Sequence, residues 1–156
     1  KIGFLWRIHR VHHSDTQMDV STAIRFHPIE IALSMVLKIG LVYALGADPL
    51  SILFFEILLN GSSMFNHANI KIPTRIDKVL RLFIVTPDMH RIHHSRDRNE
   101  HDTNFGFALS VWDRFFRTYK DYPQTKHEDM EIGLNWQDEK PEKLGWSLAL
   151  PFRKNE

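Results

Sequence analysis

Apolar and polar positions in this chain fall into long blocks. Phe4, Leu5, Ile8 and Val11 keep close to helical spacing, so Lys1 to about Asp15 reads as the end of a helix. A polar stretch from Asp15 to Thr22 follows, then FHPIE, where Pro28 suits the first residue of a new helix that runs out near Gly46. After a break at Gly46-Ala47-Asp48-Pro49 comes a second apolar run, LSILFFEILLNGSSMF, so the two predicted helices make a hairpin. Each helix is about 24 to 27 Å long at about 1.5 Å per residue, slightly short of a hydrocarbon core of about 30 Å. They either cross a membrane with flanking residues added or form a re-entrant hairpin. From Lys71 the chain turns polar, with one aromatic helix candidate, SVWDRFFRTY. The expected fold class is all-α, with a helical unit over 1–120 and a charged, solvated surface or tail over 121–156.

Three charges interrupt the apolar helices: Glu30, Lys38 and Glu56. A charge at mid-membrane costs roughly 2.5 to 3.5 kcal/mol on insertion scales, so Lys38 and Glu56 are expected to face protein or water and not lipid. Hydropathy alone leaves a membrane hairpin and a soluble one both open, and the mean hydropathy of −0.29 leans soluble. With 20 Lys plus Arg against 19 Asp plus Glu, the net charge of +1 gives no reason to expect a nucleic-acid partner. The absence of Cys removes disulfides, thiolate metal sites and a cysteine nucleophile. No signal peptide is visible, and a chain that opens at Lys1 is expected to continue upstream, N-terminally truncated.

Ten His is a heavy load for 156 residues, and their placement is not random. The motif His-x-x-His-His occurs as HRVHH (His9, His12, His13) and again as HRIHH (His90, His93, His94), about eighty residues apart. On a helix, positions i, i+3 and i+4 share one face, so each copy points three imidazoles at one small volume. A metal is the natural occupant. His27, before Pro28, and His67, in FNHANI, lie at the polar boundary where the clusters sit if the hairpin returns to the side it left, and both join the candidate ligands. His101, in a polar loop, and His127, in the charged tail, read as solvated, with His101 near enough to His94 to remain a possible supporting donor.

Structural zinc needs four ligands, usually with Cys, and hydrolytic zinc uses three plus water, commonly with HExxH. Six to eight His without either pattern suit two metals in an imidazole shell, a ligand type that fits iron, copper and zinc alike.

RIHRVHHSD, RFHPIE, FNHANIKIP, VTPDMHRIHHSRD and TNFGFALSVWDRFFRTY occur in the order in which the fatty acid hydroxylase/sterol desaturase superfamily carries its later histidine boxes and tail. From about Trp6 to Tyr119 the chain resembles that superfamily. It departs in lacking the HxxxH box normally found just upstream of Trp6, which leaves two expected iron ligands out, and in having Arg117 where the family tail often has Gly.

The resemblance implies a helical membrane bundle with a histidine-rich polar cap facing the cytoplasm. It implies an oxidoreductase that uses two Fe ions, with zinc as a possible substitute, and O2 to hydroxylate or desaturate a C–H bond of an acyl or sterol lipid. An electron-donor protein of ferredoxin or cytochrome type would supply electrons. His9, His12, His13, His27, His67, His90, His93 and His94 carry over as ligands. Glu30, Asp15 and Asp88 are placed to fix imidazole tautomers. Phe54, Phe55, Phe65 and Phe105 either line an acyl channel or simply pack. Arg10 and Arg91 either meet an acidic donor or are ordinary surface arginines. Relatives with similar boxes handle carotenoid, ether-lipid or alkane-type substrates, and no residue here reads head group or chain length. A non-catalytic, His-rich metal-binding module is the rival from another class.

Overall fold

A computed structural model describes residues 2–136 and 141–153. Among these no strand forms; the backbone is all-α, with two isolated bridges, Ile84 to Leu109 and Ser95 to Ile132, as its β contacts. The helices are α1 (Gly3–His13), α2 (Pro28–Leu45), α3 (Pro49–His67), α4 (Thr74–Leu80), α5 (Pro87–His93), α6 (Arg98–His101), α7 (Val111–Phe115) and α8 (Leu144–Ala149). Short 3-10 turns, Val20–Ile24 and Leu150–Phe152, precede α2 and follow α8.

The predicted hairpin forms with the expected punctuation. Pro28 opens α2, and the His27 ring caps it by accepting from Ile29 N–H at 3.2 Å. Gly46 closes α2 at φ 62, a left-handed conformation that glycine adopts without strain. Asp48 then caps α3 through the N–H groups of Leu50 and Ser51. The charges inside the hairpin answer each other, Lys38 Nζ lying 2.6 Å from Glu56 Oε1. No residue of α2 is buried, and it is the one helix among those described that is long and apolar enough to cross a membrane. α3 turns polar through Asn60, Gly61, Ser62 and Ser63, and its last turn packs into the cap, burying Ser63, Asn66 and His67.

The cap is built on α1. Val11 packs with Leu134, Trp146 and Leu150, with Trp6 and Trp136 against them. Residues past 121, expected to be a solvated surface or tail, therefore supply three side chains of the buried core. Arg10 is drawn into the same contact: its guanidinium donates to the Leu150 and Arg153 carbonyls and lies over the Trp136 ring. It is 3% exposed, which takes it off the surface where a docking partner could meet it. The aromatic helix is shorter than its sequence suggests, because Arg117 turns left-handed at φ 59 and ends it.

Candidate metal centre

α1 and α5 bring their HxxHH faces together, and α3 ends between them. The imidazoles of His12, His67, His90 and His94 form one group, and those of His9, His13 and His93 a second; within each group the ligand atoms all lie within 4.8 Å of one another. His13 joins the two, its ring stacked on His94 at 4.4 Å and edge-on to His93 at 4.6 Å. His67 Nε2 sits 3.0 Å from His12 Nε2 and 3.2 Å from His90 Nε2. Two nitrogens each about 2.1 Å from one ion and set at a right angle would be about 3 Å apart, so this spacing suits shared ligation.

Three rings are oriented from behind. His67 Nδ1 is 2.7 Å from the Ser63 carbonyl, His93 Nδ1 is 2.9 Å from the Thr103 carbonyl, and His9 Nδ1 is 2.8 Å from Glu30 Oε1. Those oxygens only accept, so each Nδ1 carries the proton and leaves the Nε2 lone pair for the interior. Other nitrogens have no partner. His13 Nε2, His90 Nδ1 and both nitrogens of His94 are buried without a hydrogen bond. Leaving such atoms unsatisfied costs on the order of 1–3 kcal/mol each, and a transition-metal ion is the partner that neutral imidazoles fit. Burial, reinforced by the neighbouring rings, pushes His12, His13, His90 and His94 well below the usual histidine range. Burial likewise takes His93 down to about 3. These five rings are therefore neutral at pH 7.

Seven of the eight expected ligands thus meet. His27 does not join them: Nδ1 caps α2 and Nε2 is 3.3 Å from the Leu148 carbonyl. Of the carboxylates, Glu30 reaches a ring. Asp15 is held by Thr22 and lies 3.8 Å from Arg25, while Asp88 lies 3.6 Å from Arg91. His101, set aside as a loop residue, is carried back by α6 to stack on Trp6 at 5.1 Å, with its ring 6.3 Å from His13. No periodicity in the sequence signals that return.

Beside the imidazoles lies a cavity of about 590 Å³. Leu5, Leu33, Leu37 and Phe105 give it apolar walls, and His9, Glu30, His93 and His101 also line it. Phe105 also meets His93 edge-on at 5.3 Å; Phe54 and Phe55 point outward and are about half exposed. A larger and more polar cavity of about 930 Å³, lined by residues including Lys71, Asp88, Arg91 and His127, contains none of the clustered imidazoles. His127 is half-buried there and not solvated, and burial lowers its pKa.

The order of the histidine segments now has a spatial counterpart, and residues 1–118 match the family model described as fatty acid hydroxylase. The chain belongs to the fatty acid hydroxylase family. The ornithine lipid hydroxylase OlsE of Rhizobium tropici is 32% identical over 128 residues, covering 82% of this chain and 38% of that protein. Alkylglycerol monooxygenase from Homo sapiens is 28% identical over 134 residues, covering 86% of this chain and 28% of its own length. The zebrafish (Danio rerio) enzyme of that name is 31% identical over 122 residues, or 76% and 26%. The chain thus spans between about a quarter and two fifths of these relatives. No solved structure matches it. Within the fatty acid hydroxylase match fall all seven clustered His, whereas the core residues Leu134, Trp146 and Leu150 lie beyond it.

Proposed function

We propose that this chain carries the metal centre of a membrane oxygenase that hydroxylates a lipid C–H bond, with two iron ions held by His9, His12, His13, His67, His90, His93 and His94. The observation that carries the reading is the convergence of these imidazoles into two touching groups in which buried nitrogens of His13, His90 and His94 lack protein partners. Too many neutral nitrogens meet here for one zinc, and their number fits two ions. When bound, an iron pair supplies the electron-transfer and O2 chemistry that an unactivated C–H bond requires.

The chain's own residues do the rest. Glu30 and the Ser63 and Thr103 carbonyls hold protons at Nδ1 of His9, His67 and His93, keeping each Nε2 turned inward. The 590 Å³ cavity is within the range of ligand sites and admits an acyl or alkyl chain between α1 and α2. Its apolar walls exclude water and set a methylene beside His9 and His93. Monooxygenation consumes O2, two electrons and two protons and releases water, so a ferredoxin- or cytochrome-type donor is required. The relatives' names, a hydroxylase and monooxygenases, support hydroxylation over desaturation and a lipid substrate. The exposed, apolar α2 supports a membrane location for the hairpin, and in this reading the cap faces the cytoplasm.

Iron-57 Mössbauer spectroscopy with metal quantitation, on protein purified anaerobically in detergent, tests the reading. About two coupled irons per chain, lost together in a His93→Ala variant, are expected. One tightly bound zinc and no iron, in protein that stays soluble without detergent, would make it a binding module instead.

A further inference from the structure

A second apolar surface lies outside the hairpin. α4 with its following turn (residues 74–83) and α7 with its approach (residues 107–117) are laced together. Ser110 N–H donates to the Phe83 carbonyl at 3.2 Å and Val85 N–H to the Ala108 carbonyl at 2.9 Å. The Ser110 hydroxyl and the Arg114 guanidinium both donate to the Arg81 carbonyl, at 2.7 and 3.1 Å. On the face so formed Val79, Leu82, Phe83, Trp112, Phe115 and Phe116 are all more than half exposed, Phe115 at 73%. Aromatic side chains bury about 150–250 Å² each when covered, so leaving three Phe and a Trp open side by side is unfavourable in water.

Exposed charge within residues 74–83 and 107–117 is positive, and Asp121, 3.8 Å from Arg81, lies at the edge. Arg75, Lys78, Arg114 and Arg117 are exposed, whereas the two acids within these segments are buried. Asp77 is held by Arg81 at 2.6 Å, and Asp113 accepts from Phe105 and Gly106 N–H at 2.7 and 2.8 Å. Arg117 keeps its place at φ 59, where glycine would be the unstrained residue. Rings interleaved with four exposed cations, with Asp121 beside Arg81 as an exposed acid at the edge, are in composition close to a membrane-interface anchor. The surface also begins where the apolar hairpin ends, because the Asn66 amide in the last turn of α3 donates to the Phe107 carbonyl.

We propose that this α4–α7 surface seats the cap on the headgroup layer of the membrane that the hairpin enters, with a preference for anionic lipid. The proposal rests on the membrane reading of α2 and α3. Rings enter the interfacial layer, and the four cations meet phosphate, whose attraction falls off within a Debye length of the surface.

Because the chain has no Cys, single labels can be introduced without background. An environment-sensitive fluorophore is attached at Phe115→Cys, at Val36→Cys within α2, and at the exposed Lys126→Cys as an aqueous reference. The protein is reconstituted in phosphatidylcholine vesicles with and without phosphatidylglycerol. Label 115 is expected to be quenched by shallow lipid-attached spin labels and shielded several-fold from iodide relative to label 126, more so with the anionic lipid. Arg114→Ser with Arg117→Gly, which removes two of the four cations, is expected to weaken that lipid dependence, although the second change relieves backbone strain; an undiminished dependence would overturn the role of these cations. Free quenching of label 115 by iodide while label 36 stays in the bilayer core overturns the anchor alone. Protection of label 115 from both quenchers means that protein, such as a second copy, covers the face, and also overturns it. Iodide access at label 36 overturns the membrane reading itself.

Discussion

Glu30 stands 21 positions from His9 in sequence yet 2.8 Å from its ring, and the prediction at the scale of the residue begins there. Carboxylates that orient ligating imidazoles typically change metal affinity 10–100-fold when removed. Glu30→Ala is therefore expected to weaken metal binding by about that factor in a chelator competition, and Glu30→Gln, which can still accept at Nδ1, by less. A pH prediction follows from the buried rings. His93 titrates at about 3, below the ordinary value of about 6.5, and His12, His13, His90 and His94 are lowered in the same direction by burial. Below the ordinary value the unfolded chain takes up protons that the folded one refuses. The metal-free protein is thus most stable above about pH 6.5 and loses stability as pH falls below it, by about 1.4 kcal/mol per pH unit from His93 down to about 3, with His12, His13, His90 and His94 acting in the same direction. Thermal unfolding in detergent, followed by near-ultraviolet circular dichroism, should show Tm falling steeply over that window; a flat profile would mean that the rings are open to water. The two HxxHH copies were legible because helical periodicity is local. The cap that His27 makes on α2 and the return of His101 toward Trp6 and His13 were not legible, because both are decided by tertiary contacts.

α1 is held by elements from the far end of the chain. Leu134, Trp146 and Leu150 cover Val11, and the Arg10 guanidinium closes on the carbonyls of Leu150 and Arg153. Because Arg10 lies between His9 and His12, loosening this contact should disturb the site without touching a ligand. Trp146→Ala is expected to destabilise the cap by about 3–5 kcal/mol and to lower metal retention, while the exposed Phe152→Ala leaves both nearly unchanged. Metal quantitation together with urea titration in detergent checks this; unchanged retention in a destabilised Trp146→Ala protein would separate α1 packing from the site. The hairpin helices were readable from proline, glycine and apolar run length. The packing of Leu134, Trp146 and Leu150 was not, since isolated apolar residues in a charged stretch carry no period, and α8 spans six residues.

For the whole molecule, the contrast to explain is between a cap that buries histidines and a helix, α2, none of whose residues is fully buried. A soluble hairpin would cover one face of that helix, and the sequence could not choose because hydropathy sees composition and not burial. Lys38 and Glu56, near the middle of α2 and α3, make the choice measurable. If these helices lie in a hydrocarbon core, the 2.6 Å ion pair answers two charges that would each cost roughly 2.5–3.5 kcal/mol alone. Lys38→Met then strands Glu56, and a penalty of that size corresponds to about a hundredfold shift in the insertion equilibrium. The double change Lys38→Met with Glu56→Met removes both charges and, as for other buried pairs replaced by apolar residues, should insert at least as well as the parent. Resistance to alkaline extraction from membranes ranks the variants: the single change falls, and the double change recovers. Equal extraction of all three would put the ion pair in water and leave α2 and α3 to be covered by protein instead of lipid.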